Sequence, residues 1–160
     1  MRSGIYMPRV LNRKTIGNKW IPNSVYVGRP SAWGNPITIG KDGSRAEVIA
    51  KYRAWICDQP RLVSRLSELH GKDLICWCSP LPCHADVLLY LADGVDKLHM
   101  VTRTDDAGNT VLVQDGLGPC QAIAVHDKLE ACGHKQSYSI MRYATPSDRD
   151  NLLRSLGIIE

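Results

Sequence analysis

Residues 74–84 read LICWCSPLPCH, and within this stretch a strand, a turn and the start of a helix follow one another. Residues 74–78 are apolar or favour β-structure, and the two prolines that follow end the strand. Helical spacing then appears in the apolar residues before Gly94, namely Val87, Leu88 and Leu91. The stretch therefore predicts a buried strand whose carboxyl end leads directly into a helix.

The residues before this stretch add a second strand and two helices. Ser24 to Val27 predict a strand that enters the Gly- and Pro-rich loop of residues 28–36. Ser44 and Glu47 have the spacing of a capping box before an amphipathic segment, and a second amphipathic segment over residues 62–69 predicts a short helix. The order β-α-α-β-α favours parallel strands. We predict an α/β core module over residues 1–94, with a small three-layer, Rossmann-like parallel sheet.

The pattern changes after residue 94. Two β-favouring segments, residues 98–102 and 110–113, flank a turn-forming segment at residues 105–109. A helical pattern over residues 119–133, a strand near Tyr138 and a capped helix start at Thr145 follow. Residues 95–160 therefore predict a C-terminal β-β-α-β-α extension or subdomain.

Composition and charge narrow the class of protein. The 160 residues contain no apolar run of the roughly 20 residues that a membrane span needs, and the first residues do not resemble a signal peptide, so we expect a cytoplasmic protein. Residues 1–53 hold ten Lys and Arg against two Asp and Glu, a net charge of +8. The remaining residues hold ten against fourteen, a net charge of −4. The basic part would attract a phosphate-bearing ligand or nucleic acid, although a solvated basic face has the same composition.

The cysteines and histidine of residues 76–84 suit a metal site. Side-chain alternation on a strand places Cys76 and Cys78 on one face, and the turn brings Cys83 and His84 to the next helix start. Three thiolates and one imidazole are a ligand set that zinc accepts. Because Cys83 and His84 are adjacent and would point in different directions, three ligands with an open position are also compatible with the spacing.

The same cluster suits catalysis by a thiolate. At a helix N-terminus, free amide groups and the helix dipole would lower the pKa of Cys83 and make it the nucleophile. His84 or Asp86 would then transfer the proton. In a third interpretation, Cys76 and Cys78 are ordinary buried residues and His84 caps the helix.

The loop of residues 28–36 has the composition of a ligand-binding loop. Gly28 and Gly34 would permit close approach of a ligand, Arg29 would bind a phosphate, Trp33 would stack on a base, and Asn35 would both donate and accept. The segment lacks the spacing of a dinucleotide-binding fingerprint and of a P-loop. Because ligand-binding loops of open α/β sheets follow strands, we expect this loop beside the cysteine cluster. The alternative is a rigid turn whose Trp33 fills the core.

The motifs VYVGRPxxWGNP and CWCxPxPCH together resemble a family of short bacterial and phage proteins catalogued as domain of unknown function 4326. The resemblance covers about residues 8–92 and leaves the C-terminal extension outside it. It implies that the loop and the cluster belong to one module and that a phage genome is the source. The resemblance implies no particular activity.

These features favour an enzyme acting on a nucleotide, nucleoside or nucleic-acid base. Gly28, Arg29, Trp33 and Asn35 would bind the substrate, and Cys83 or a metal held by the cluster would perform the reaction. One alternative is a non-catalytic module in which zinc is structural and the basic part binds nucleic acid; another is a protein that sequesters a nucleotide. The sequence identifies no protein partner.

Overall fold

The structure is a computed structural model that describes residues 6–133 and 135–160. The chain divides into two compact units, Met1–Asp93 and Gly94–Glu160. Both units combine helices with a three-stranded sheet. The predicted α/β class is therefore confirmed.

The sheet of the first unit is parallel and has the order β1-β3-β2. Its strands are β1 (Val10–Asn12), β2 (Ser24–Tyr26) and β3 (Asp73–Cys76). The central strand β3 is buried along its whole length, as expected where both neighbours are paired. The predicted parallel pairing is confirmed, whereas the three-layer, Rossmann-like layout stays a prediction.

The described residues of this unit form four α-helices: α1 (Arg13–Ile16), α2 (Arg45–Cys57), α3 (Pro60–Val63) and α4 (His84–Asp93). The predicted capping box is present, because Ser44 Oγ accepts from the Glu47 amide and the Glu47 carboxylate accepts from the Ser44 amide. The prediction of a single helix over residues 62–69 is wrong. The segment instead contains the end of α3 and a separate 3-10 turn, Leu66–Leu69, whose two leucines are three residues apart and both buried.

Strand β3 ends at Cys76, two residues earlier than the sequence predicts. Beyond it, Asn12 Nδ2 donates to the carbonyl oxygens of Trp77, at 3.4 Å, and of Ser79. Ser79 Oγ donates to the Val10 carbonyl at 3.2 Å. These bonds hold the loop of residues 77–83 against the carboxyl end of β1.

The second unit has the predicted order β-β-α-β-α. Its elements are β4 (Leu98–Thr104), β5 (Thr110–Leu117), α5 (Pro119–Glu130), β6 (Ser137–Tyr143) and α6 (Pro146–Ser155). The sheet is antiparallel, with β4 between β5 and β6. Consecutive residues of β4 belong to two cores, because Met100 packs with Tyr143 and Leu153 while Val101 packs with Leu117 and Ala122.

Within residues 6–133 and 135–160, no helix combines the length and the apolar character needed to cross a bilayer.

Candidate functional site

A cavity of about 470 Å³ lies where β2 and β3 end in the first unit. Residues from both sequence motifs line it. The loop after β2 contributes Gly28, Arg29 and Asn35, and the segment after β3 contributes Trp77, Cys78, Cys83 and His84. The two motifs therefore meet at one site, as the rule for parallel strands predicts.

Three thiols form a cluster at the wall of this cavity. The sulfur atoms of Cys76, Cys78 and Cys83 all lie within 4.8 Å of one another, and those of Cys76 and Cys83 are 3.2 Å apart. All three are free thiols; Cys76 and Cys83 are buried, and Cys78 is partly exposed. The cluster has the ligand atoms and the spacing to hold a metal ion.

The two buried thiols of the cluster differ in acidity. A hydrogen bond from Cys83, together with hydrogen bonds from the backbone amides of Cys78 and Ser79, lowers the pKa of Cys76 to about 5 against the effect of burial. The same hydrogen bond, together with burial, raises the pKa of Cys83. This is the reverse of the shift expected for Cys83 at a helix N-terminus, because the short sulfur contact outweighs the amide that Ala85 directs at Cys83. Of the two buried thiols, Cys76 is therefore the more acidic.

His84 lies beside the three thiols but outside the set that shares the 4.8 Å spacing. Its Nε2 is 2.8 Å from the Val27 carbonyl oxygen. Because a carbonyl oxygen only accepts, Nε2 carries the hydrogen, and the lone pair of the neutral ring is on Nδ1, which does not share the close spacing of the three sulfurs. The ring also contacts Tyr52 edge-on, with centroids 5.2 Å apart. These contacts fix the ring between the loop after β2 and helix α2.

Asp86 lies in the first turn of α4 and caps it. Its Oδ2 accepts from the Cys83 amide at 2.7 Å, and its own amide donates to the Cys83 carbonyl at 3.1 Å. The carboxylate therefore fixes the backbone of Cys83. Asp86 is not among the residues that line the cavity.

Neighbouring protein atoms leave too little room for a side chain at the two glycines of the loop, Gly28 and Gly34. A Cβ at Gly28 would lie 2.5 Å from the Tyr26 hydroxyl oxygen, and a Cβ at Gly34 would lie 2.9 Å from Cγ of Arg29. The sequence interpretation assigned both glycines to close approach of a ligand. In the structure they permit the loop to fold onto itself, and only Gly28 also lines the cavity.

Trp33 is in the core, where the alternative interpretation placed it. Only 4% of its surface is exposed, and its carbonyl oxygen accepts from the buried Tyr52 hydroxyl at 2.7 Å. The Arg65 guanidinium lies over its ring, 5.8 Å from the centroid. Trp33 is not among the residues that line the cavity.

Trp77 supplies the aromatic surface that the sequence interpretation assigned to Trp33. It lines the cavity and is 58% exposed. Its indole nitrogen donates to the Tyr26 hydroxyl at 2.9 Å, and that hydroxyl donates to the Arg29 carbonyl at 2.8 Å. An exposed tryptophan held by a hydrogen bond is a preorganised stacking surface. The sequence feature that could have indicated this surface is the position of Trp77 between two cysteines at the end of a strand.

The polar groups of the cavity come from both loops and α2. Asn35 Oδ1 accepts from the Ile37 amide at 2.8 Å, whereas its Nδ2 makes no hydrogen bond within the described residues. The Arg29 side chain is exposed and likewise forms no ion pair with any described residue. Arg45 of α2, which sequence reasoning missed, also lines the cavity and donates to the Pro82 carbonyl at 3.2 Å. The cavity is therefore basic and offers free donors.

Comparison with known proteins identifies one family. Neither a curated protein nor a solved structure matches the chain. The profile of the family described as domain of unknown function (DUF4326) matches residues 10–94, which include the cavity and the thiol cluster. That match covers more than half of the 160 residues. The chain therefore belongs to the DUF4326 family.

Proposed function

We propose that this protein is an enzyme that binds a nucleotide, nucleoside or nucleic-acid base in the cavity and transforms it with the thiol cluster. The observation that carries the proposal is the composition of one cavity wall. An exposed tryptophan, an exposed arginine and two cysteines of the cluster line the same space. A binding surface and a reactive group are thus within reach of one ligand.

The binding half of the site suits a base with an anionic substituent. A cavity of about 470 Å³ is within the range of small-molecule sites, roughly 300–1,000 Å³. Trp77 offers a fixed ring to stack on, and Asn35 Nδ2 offers a donor to a base edge. Arg29 and Arg45 offer guanidinium groups, which bind phosphate through paired hydrogen bonds.

The reactive half of the site is the cluster of Cys76, Cys78 and Cys83. Free thiols of this set would act through the thiolate of Cys76, with Cys83 as the thiol that hydrogen-bonds to it. Bound to zinc, the same three sulfurs would hold a Lewis acid at the cavity wall. Both versions require the cluster for turnover. A cytoplasmic location and a phage origin stay predictions from the sequence.

The proposal is tested by conversion of a defined panel of compounds. The purified protein is incubated with nucleosides, nucleoside mono- and triphosphates and short oligonucleotides, and products are detected by liquid chromatography with mass spectrometry. We expect one class to be converted by the wild type and by Cys132→Ser, which removes an exposed thiol of the second unit. Cys83→Ser should abolish conversion. Absence of conversion by the wild type, or full activity of Cys83→Ser, would overturn the proposal.

A second candidate is a non-catalytic, zinc-stabilised module that binds nucleic acid. The net charge of +8 over residues 1–53 favours it, since this charge would attract a phosphate backbone without any chemistry. It predicts oligonucleotide binding that weakens steeply with added salt and yields no product. A protein that sequesters a nucleotide would instead bind one small ligand tightly and leave it unchanged.

A further inference from the structure

We infer that Cys76, Cys78 and Cys83 form a complete three-thiolate site for one zinc ion whose fourth coordination position opens into the cavity. The ligand set excludes His84, and the open position gives the metal ion access to a molecule bound in the cavity. The use of the open position rests on the proposed function, whereas metal binding does not.

The sulfur positions fit a tetrahedral zinc ion. Zinc–sulfur bonds of about 2.3 Å at tetrahedral angles place two sulfur atoms about 3.8 Å apart. The three sulfurs here are separated by 3.2 Å at the shortest pair and by no more than 4.8 Å. Adjustments of at most about 1 Å at each pair would therefore reach the ideal geometry. In a [4Fe–4S] cluster, in contrast, each cysteine binds a separate iron atom, and the sulfur atoms are spaced more widely.

Backbone amides direct hydrogen toward the same sulfurs. The Cys78 amide lies 3.4 Å from Cys76 Sγ, and the Ser79 amide is also directed at that sulfur. The Ala85 amide, in the first turn of α4, is directed at Cys83. Amides that donate to thiolates offset part of their charge and orient them, as partners around metal ligands commonly do. These amides would stabilise both sulfurs as thiolates once a metal ion displaces the proton of Cys83.

His84 does not complete the set. Its Nε2 donates to the Val27 carbonyl at 2.8 Å, and neither of its ring nitrogens shares the close spacing of the three sulfurs. A fourth protein ligand would close the site, as in structural zinc centres, whereas three ligands leave a position for water or substrate. Within the described residues, only the three cysteines share the close spacing.

The open position faces the cavity because two of the ligands line it. Cys78 and Cys83 are both cavity residues, and Cys78 is partly exposed. Three thiolates and one Zn²⁺ carry a net charge of −1, and Arg29 and Arg45 line the same space. The arginines therefore complement the charged site and would retain an anionic ligand beside it.

Metal content and cobalt substitution test the ligand set. Protein purified without chelator is analysed for zinc, copper and iron, and the zinc-free protein is then titrated with Co²⁺ and followed by absorption. We expect about one zinc per chain and a tetrahedral Co²⁺ spectrum with sulfur-to-metal charge-transfer bands. Cys78→Ser, which changes a partly exposed residue, should lose the metal while circular dichroism shows a folded protein. Cys132→Ser and His84→Gln should keep it.

The open position is tested with imidazole and a small thiol. Either ligand should shift the Co²⁺ bands of the wild type, because it can occupy the fourth site. Metal-free protein, copper in place of zinc, retention of zinc by Cys78→Ser, or its loss in a folded His84→Gln would each overturn the inference. Co²⁺ bands that added ligands leave unchanged would overturn the open position. These readouts need no nucleotide. Conversion of a panel compound by metal-free wild-type protein would therefore contradict the zinc site without contradicting the proposed function.

Discussion

The sulfur atoms of Cys76 and Cys83 lie 3.2 Å apart, which joins the end of the central strand β3 to the residue before α4. Both side chains are buried, at 0% and 3% exposure. The intervening loop is held separately, because Asn12 and Ser79 bind it to β1. The contact is thus part of the fold as well as of the site.

This contact predicts which pair of thiols oxidises first. After removal of metal, treatment with diamide should join Cys76 to Cys83, since their sulfurs are already in contact. Peptide mapping by mass spectrometry should show the loss of two hydrogen atoms in the peptide that contains both residues. The bond should still form in Cys78→Ser and should be absent from Cys83→Ser. Preferential pairing of Cys78 with either neighbour would contradict the arrangement of the cluster.

Asp86 should act as a helix cap. Asp86→Ala removes the acceptor of the Cys83 amide and should lower the free energy of unfolding by about 1 kcal/mol. Asp86→Asn keeps a side-chain oxygen and should lower the free energy of unfolding clearly less. Denaturant unfolding of the two variants checks this ordering. A stable Asp86→Asn that has lost conversion of substrate would instead restore the proton-transfer role that the sequence suggests.

Trp77 should carry the stacking interaction with a base. Stacking on an aromatic side chain contributes about 1–3 kcal/mol per base, so Trp77→Ala should weaken ligand binding roughly tenfold or more. Trp77→Phe should retain most of the affinity. Trp20→Ala is the matched control, because Trp20 is 83% exposed and is not among the residues that line the cavity. Calorimetric titration measures these differences, and equal losses in Trp77→Ala and Trp20→Ala would refute the assignment.

Arg29 should distinguish phosphorylated from neutral ligands. A hydrogen bond to a charged group contributes about 1.5–3 kcal/mol, so Arg29→Ala should weaken nucleotide binding tenfold or more and leave nucleoside binding nearly unchanged. Arg29→Lys should recover only part of the loss, because lysine lacks the paired donors. Arg61→Ala replaces another exposed arginine, in α3, and should have no effect. An equal effect of Arg29→Ala on both ligand classes would argue against a phosphate contact.

The features of the fold that were predicted best from the sequence are those in which a local rule fixes the geometry. Parallel strands bring their carboxyl ends together, and this rule placed the loop of residues 28–36 beside the thiols. The Ser44 capping box and the order β-β-α-β-α of the second unit were likewise predictable, because caps and turns depend on few neighbouring residues. Strand β1 was missed, since Val10–Asn12 is only three residues long and is defined by its pairing with β3.

Side-chain roles within the site were less predictable. Trp33 and Trp77 both lie near glycine or cysteine motifs, and their different exposure results from packing against Tyr52 and Arg65. The acidity of Cys76 and Cys83 depends on a contact between residues seven positions apart. The bond from His84 to the Val27 carbonyl spans 57 positions. Such distant contacts leave no local pattern in the sequence.

The most direct test of the proposed site is an NMR titration of ¹⁵N-labelled protein with the nucleoside and nucleotide panel. The account predicts that one class of ligand causes saturable shifts of the Trp77 indole N–H signal. The backbone amides of Gly28, Arg29 and the non-proline residues of 35–39 and 77–84 should shift with it. Panel compounds that leave these signals unchanged, or that shift only signals from Gly94–Glu160, would contradict the claim that this cavity binds a nucleotide-class ligand.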